Sequence, residues 1–176
     1  MADMLVRTLA LTGLAVLLLA GCSEDRTGSC PTMTALVPAS EASVFKPDAP
    51  TDPSNLLYTI EVTSVKGDCD MDKKFTHADV SLNVNFRATR APSAVAEQYR
   101  FPYFVAVTEG TDRVLAKKTF WIPFSFEPGQ TSVDFSDSVS SVSVNSVGDK
   151  RTYDYQVLVG LQLTKSQYDY NRSQVH

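Results

Sequence analysis

Nine consecutive residues constrain this chain more than any other stretch. Val80, Leu82, Val84, Phe86 and Ala88 alternate without a break with Ser81, Asn83, Asn85 and Arg87. Successive side chains of a strand point to opposite faces, so this pattern places one face in a core and the other in water. That is the mark of an antiparallel sheet with one solvated side. The same period of two returns in Tyr58, Ile60 and Val62, in Phe101, Tyr103, Val105 and Val107, and in Phe120, Ile122, Phe124 and Phe126. A last row runs through Tyr153, Tyr155, Val157, Val159, Leu161 and Leu163.

Turn chemistry separates the rows. Lys66-Gly67-Asp68, Glu109-Gly110-Thr111-Asp112, Pro128-Gly129 and Gly148-Asp149 all read as turns. The second is short enough to join Tyr103–Thr108 and Val114–Ile122 into a hairpin. Thr32–Val37 is strand-like, and the proline-rich Pro38–Asn55 reads as a loop or an extended edge. Helical patterning is scarce. Ala94–Tyr99 suits one turn, and Ser166–Arg172 a short C-terminal helix capped by Thr164.

Seven or eight short strands predict an all-β antiparallel β-sandwich with a short C-terminal helix, and the pattern resembles immunoglobulin and fibronectin-III domains. Within it, Tyr153-x-Tyr155-x-Val157-x-Val159 resembles the penultimate strand of such folds, where a tyrosine often closes a corner. An open sandwich or a barrel stays possible on the pattern alone.

The N-terminus reads as an export signal. Arg7 is a thin cationic start, and Thr8–Leu19 is an apolar run of twelve residues. A bilayer-spanning helix needs roughly 20 apolar residues, so this run is too short for one. Asp3 is out of place in such a start, and translation from Met4 would remove it. The run ends Leu19-Ala20-Gly21-Cys22, which resembles the lipobox of bacterial prolipoproteins. The resemblance implies cleavage after Gly21 and lipidation of Cys22. Ser23 in the next position implies the outer membrane, periplasmic face, rather than the inner membrane. A plain signal peptide with an incidental Cys22 is the alternative. The expected division is a signal peptide over 1–21, a lipidated tether over 22–30 and one β-sandwich domain over 31–176.

Cys30 and Cys69 remain. An even pair in an exported chain meets an oxidising compartment and is expected to form a disulfide, two free thiols being the alternative. The later part of the chain also resembles small alphaproteobacterial lipoproteins. The resemblance is carried by Cys30-Pro31, Phe101-Pro102-Tyr103-Phe104-Val105-Ala106-Val107, and Leu163-Thr164 leading to Tyr170-Asn171-Arg172. It implies no particular activity.

The chemistry-bearing residues are few. Lysines and arginines number 16 against 20 acidic residues, a net charge of −4, which argues against nucleic acid as a partner. The only histidines are His77 and the terminal His176, and no serine-nucleophile or phosphate-loop motif is present. Asp68, Asp70 and Asp72 alternate in a way that could hold calcium. However, Lys73 and Asp79 stand where an EF-hand loop requires glycine and glutamate. No metal, cofactor or catalytic residue is expected, and the chain is not read as an enzyme.

Aromatic residues offer the remaining signal. If Phe120, Ile122 and Phe124 face the core, Trp121 points the other way, with Thr119 and Pro123. Phe104 and Ala106 would lie alongside on the same outer face. Tryptophan is enriched at binding hot spots, so Trp121, with Lys117 and Lys118 as a basic rim, is the candidate contact for a partner. The competing account lays a loop such as Pro38–Asn55 over this face. The function expected is a lipid-anchored, non-enzymatic interaction or structural component of the cell envelope, partnered by the membrane through Cys22 and by another envelope protein. The alternative is a carrier of a small or polymeric periplasmic ligand.

Overall fold

The alternating rows become eight strands among the described residues. They are β1 (Thr32–Ala35), β2 (Glu41–Phe45), β3 (Leu56–Met71), β4 (His77–Thr89), β5 (Glu97–Glu109), β6 (Arg113–Phe126), β7 (Ser132–Asn145) and β8 (Tyr155–Leu161), followed by helix α1 (Lys165–Gln174). They are seen in a computed structural model that describes residues 30–93 and 95–174. The expected signal segment Met1–Gly21, the lipidation site Cys22, Ala94 and His176 lie outside the described residues.

The strands form two four-stranded sheets, ordered β1-β8-β5-β6 and β2-β3-β4-β7. Their inner faces close on one core that includes Ile60, Val80, Val84, Phe86, Tyr103, Phe126, Val157 and Val159. This is the β-sandwich architecture, whose members share layers without always sharing connections. Here the connections β2–β3, β3–β4 and β5–β6 each stay within one sheet, and the chain crosses between sheets at β1–β2, β4–β5, β6–β7 and β7–β8. Among the described residues, all the strands that build this core lie between Cys30 and Gln174.

Aromatic rings fill the space between the sheets. Phe124 stacks on Phe135 at 4.7 Å, Phe86 meets Tyr103 edge-on at 5.2 Å, and Tyr103 stacks on Phe120 at 5.3 Å. The Tyr103 hydroxyl, carried by a fully buried residue, donates to Asp137 on β7 at 2.7 Å, tying one sheet to the other. Burial, and then this bond to a carboxylate, raise the Tyr103 pKa and keep the phenol neutral.

Strands β3 and β7 change phase in mid-strand to keep their apolar residues inside. On β3, Val62 lies opposite Phe86 but Val65 opposite Val84, so three residues span what two span on β4. On β7, Val139 faces Leu82 and Val142 faces Val80, and Ser141 takes a positive φ of 60° at the step. Each is a β-bulge. Without the second, Val144 would point into solvent, whereas it is fully buried.

Several expectations are corrected by the structure. Lys66-Gly67-Asp68 is no turn but lies inside β3, and the chain reverses at Asp72–Thr76 instead. Gly67 is there for close approach. A Cβ on it would sit 2.5 Å from the Ser81 carbonyl oxygen and 2.6 Å from the Met33 sulfur. Gly67→Ala is therefore expected to destabilise the protein by about 1–3 kcal/mol. An alanine in an unhindered strand position would leave stability equal or higher, so a raised melting temperature would refute the crowding.

The segment Ala94–Tyr99 is not helical where described, because Glu97 to Tyr99 already belong to β5. The Thr32–Val37 strand ends at Ala35, and Val37–Ala39 is a short 3-10 turn. β1 pairs with β8 in parallel, the exception to the antiparallel expectation. Pro38–Asn55 contains the edge strand β2, where Ala42 and Ser43 are buried. Tyr153 sits in a 3-10 turn with its side chain half exposed, so the last inward row starts at Tyr155. That row is the final strand rather than the penultimate one. The Tyr155 hydroxyl accepts the Val147 N–H at 2.9 Å, and so closes a corner as expected of one of the two tyrosines. The terminal helix forms with Thr164 as its cap. The Thr164 hydroxyl accepts from the Gln167 N–H at 3.3 Å, while the Gln167 side chain accepts from the Thr164 N–H at 2.9 Å.

Candidate interaction site

The two outer faces of the sandwich differ in kind. On β2-β3-β4-β7, polar side chains pair across strands: Thr59 with Thr89 at 2.6 Å, Asn85 with Ser64 at 2.8 Å, Arg87 with Asp134 at 2.8 Å. Such a face satisfies itself and presents ordinary polar surface to water.

The outer face of β1-β8-β5-β6 presents aromatic and basic groups. Trp121 pairs with Pro102 across the β5–β6 hairpin and is 58% exposed. The Arg100 guanidinium lies 5.0 Å from the Trp121 ring centre, a cation–π contact that leaves the rest of the indole open. Two residues along β5, Phe104 is nearly buried on the same side, and the Lys117 ammonium lies 4.2 Å from its ring centre. Gly160 makes room for that phenyl ring. A Cβ there would sit 2.7 Å from Phe104 Cζ and 3.2 Å from Ala39 Cβ. Beside Phe104, Pro38, Leu163 and Tyr168 line a shallow groove between the Val37–Ala39 turn and α1. From Gln98 to Ala106 on β5 and from Lys117 to Ser125 on β6, the outward positions hold Arg100 and Lys117 and no carboxylate.

Alternation thus places Trp121, Lys117 and Phe104 together. Lys118 is not with them. It shares the inward side of β6 with Phe120, whose ring centre is 5.2 Å from the Lys118 ammonium, and the basic neighbour that sequence reasoning missed is Arg100. Arg100 stands opposite Pro123, whereas a register counted from the Glu109–Asp112 turn would set it against Ile122, because the pairing shifts by one residue between Val107 and Thr108. The Pro38–Asn55 segment reaches Phe104 through Ala39 but leaves Trp121 open.

Cys30 and Cys69 are bonded, with their Cα atoms 6.0 Å apart. The bond pins β1 of one sheet to β3 of the other. Asp68 and Asp70 project from the same face of β3. Asp72 is committed to the following turn, accepting from the Thr76 N–H at 2.7 Å, from the Thr76 hydroxyl at 2.5 Å and from the His77 N–H at 3.2 Å. The Thr76 hydroxyl bond, foremost among these, holds the Asp72 pKa below the usual carboxylate value.

His77 stands at the start of β4 in a polar chain of four. Its Nδ1 is 2.8 Å from Asn145 Oδ1, its Nε2 is 3.2 Å from Asp79, and Ser143 donates to Asp79 at 2.9 Å. The bond to Asn145, then that to Asp79, raise the His77 pKa. The order matters chemically. The carboxylate lies between serine and histidine, so the imidazole does not reach the serine oxygen and the serine–histidine pair of a nucleophilic triad is not formed.

No protein-family model matches this chain, and comparison with curated proteins and solved structures likewise finds no match.

Proposed function

We propose that this chain is a lipid-anchored, non-enzymatic component of the bacterial envelope, held by Cys22 at the periplasmic face of the outer membrane. It docks another envelope protein on the outer face of β1-β8-β5-β6. The observation that carries this reading is Trp121, 58% exposed beneath Arg100 on a face without a carboxylate. A large aromatic with an arginine beside it, next to an apolar groove, is the composition of a binding hot spot rather than of ordinary surface. The Cys30–Cys69 bond supports an exported location, because disulfides persist in oxidising compartments. The Asn145–His77–Asp79–Ser143 order supports a non-enzymatic role.

A photoreactive residue at position 121, in the full chain made in bacterial cells, tests the proposal. It should capture one protein in the outer-membrane fraction, while the same residue at Asn83 on the opposite outer face should capture none. In the Cys22→Ser chain, membrane association and capture should both be lost. Unchanged membrane association of Cys22→Ser would refute the anchor. Equal capture from positions 83 and 121 would refute the docking face.

A further inference from the structure

The edges of the two sheets are not equally protected. β1 and β2 are short, β6 carries Lys117, Lys118 and Pro123, and β7 is bent by its bulge and turns Asp137 inward. These are common devices that stop a strand edge from recruiting another strand. β3 is the exception. β2 pairs with it only over Leu56–Glu61, and the Val62 N–H is taken by the Ser40 carbonyl at 2.8 Å. From residue 63 to residue 71, among the described residues, the edge of β3 away from β4 has no strand beside it. A cleft of about 810 Å³ opens there, with Met33, Val65 and Met71 in its lining.

We propose that a second copy of this chain occupies that edge, pairing β3 with β3 in antiparallel fashion about a twofold axis at Gly67. An antiparallel self-pairing brings together residues equidistant from its centre. Around Gly67, Lys66 faces the partner's Asp68, and Asp68 faces the partner's Lys66. Ser64 faces the partner's Asp70 on the same side of the sheet. On the inner side, Val65 faces the partner's Cys69, so apolar positions stay with apolar positions. Moving the centre by one residue sets Lys66 against Lys66 or Asp68 against Asp68, and like charges directly opposite are unfavourable. Of these three centres, Gly67 is the one that pairs opposite charges without setting like charges against one another. Both side chains are available, since neither Lys66 nor Asp68 has an ion-pair partner among the described residues. The assembly would be a continuous eight-stranded sheet, isologous as a twofold contact must be. It uses an edge distinct from the Trp121 face and does not depend on the anchoring proposal.

The test uses residues 22–176 with Cys22→Ser, which contain the whole eight-stranded unit, in sedimentation equilibrium over a concentration series. The parent should show a concentration-dependent dimer. Lys66→Asp and Asp68→Lys each place like charges opposite one another twice, and each should raise the dissociation constant at least about tenfold. The double variant Lys66→Asp/Asp68→Lys should restore dimerisation, since it exchanges the charges without changing the pairing. Hydrogen exchange at residues 63–71 should slow only as dimer forms. A parent that is monomeric throughout the series overturns the proposal, as does a dimer indifferent to the single substitutions or not restored in the double. Full exchange protection of that edge in the monomer also overturns it, and would assign the edge to the chain's own residues 22–29.

Discussion

Arg90→Ala is expected to lower stability by about 2–4 kcal/mol, because it leaves several hydrogen-bond acceptors around a buried guanidinium without their donor. The Arg90 side chain is 3% exposed. Its guanidinium donates to the carbonyls of Gln130, Val95 and Glu127, each at 3.1 Å, and to the Glu97 carboxylate at 3.0 Å. Its charge also lies 4.6 Å from the centre of the Phe126 ring. One side chain thus holds together the end of β4, the start of β5 and the turn between β6 and β7. Alanine would leave three carbonyl oxygens without this donor and the Glu97 carboxylate without its cation. For a domain of this size the melting temperature should fall by about 10 °C. Lysine should not rescue it, because an ammonium cannot reproduce the fork of a guanidinium. Arg87→Ala is the control. Its pair with Asp134 is exposed on both sides, at 47% and 66%, so melting should barely change. Equal shifts for Arg87→Ala and Arg90→Ala would refute the role assigned to Arg90.

Loss of the Cys30–Cys69 bond, by Cys30→Ser/Cys69→Ser, should cost about 4 kcal/mol in the chain-entropy account for cysteines 39 residues apart. The loss should also have a location. β1 spans only Thr32–Ala35 and is held to its sheet by a parallel pairing with β8. Without the bond, amides of β1 should exchange much faster than those of β4, which is paired on both sides. Uniform loss of protection across all strands would point to a global effect and contradict this picture.

What was legible in the sequence follows from where the physics is local. The row Val80–Ala88 declares its two faces because alternation is a property of neighbouring residues, and the same parity places Trp121 outside. The Glu109–Asp112 turn was legible for the same reason. Gly67 misled because Lys-Gly-Asp is good turn chemistry, while its real constraint comes from Met33 and Ser81, distant in sequence. Arg90 was invisible, since a lone arginine at a strand end reads as solvated until the start of β5 and the β6–β7 turn converge on it. The bulges in β3 and β7 were present as breaks of period, Val62 to Val65 and Val139 to Val142, but a break alone does not say which strand lies opposite. Parallel pairing of β1 with β8 had no local sign at all. The lone exposed tryptophan marked the candidate site, whereas Arg100 beside it needed the hairpin register.

That first pairing has a consequence for the order in which the molecule can be made. Thr32 lies beside Gln156 and Ala35 beside Val159, so the earliest strand to leave the ribosome waits for the last before it has a neighbour. β5 and β6 can close their hairpin sooner, but β8 must arrive before it can bridge β5 to β1. Pairing between such distant segments is slow, because the chain must be brought together before any contact rewards it. A nascent or translocating chain therefore cannot complete its sandwich early, and remains threadable until almost its full length has emerged.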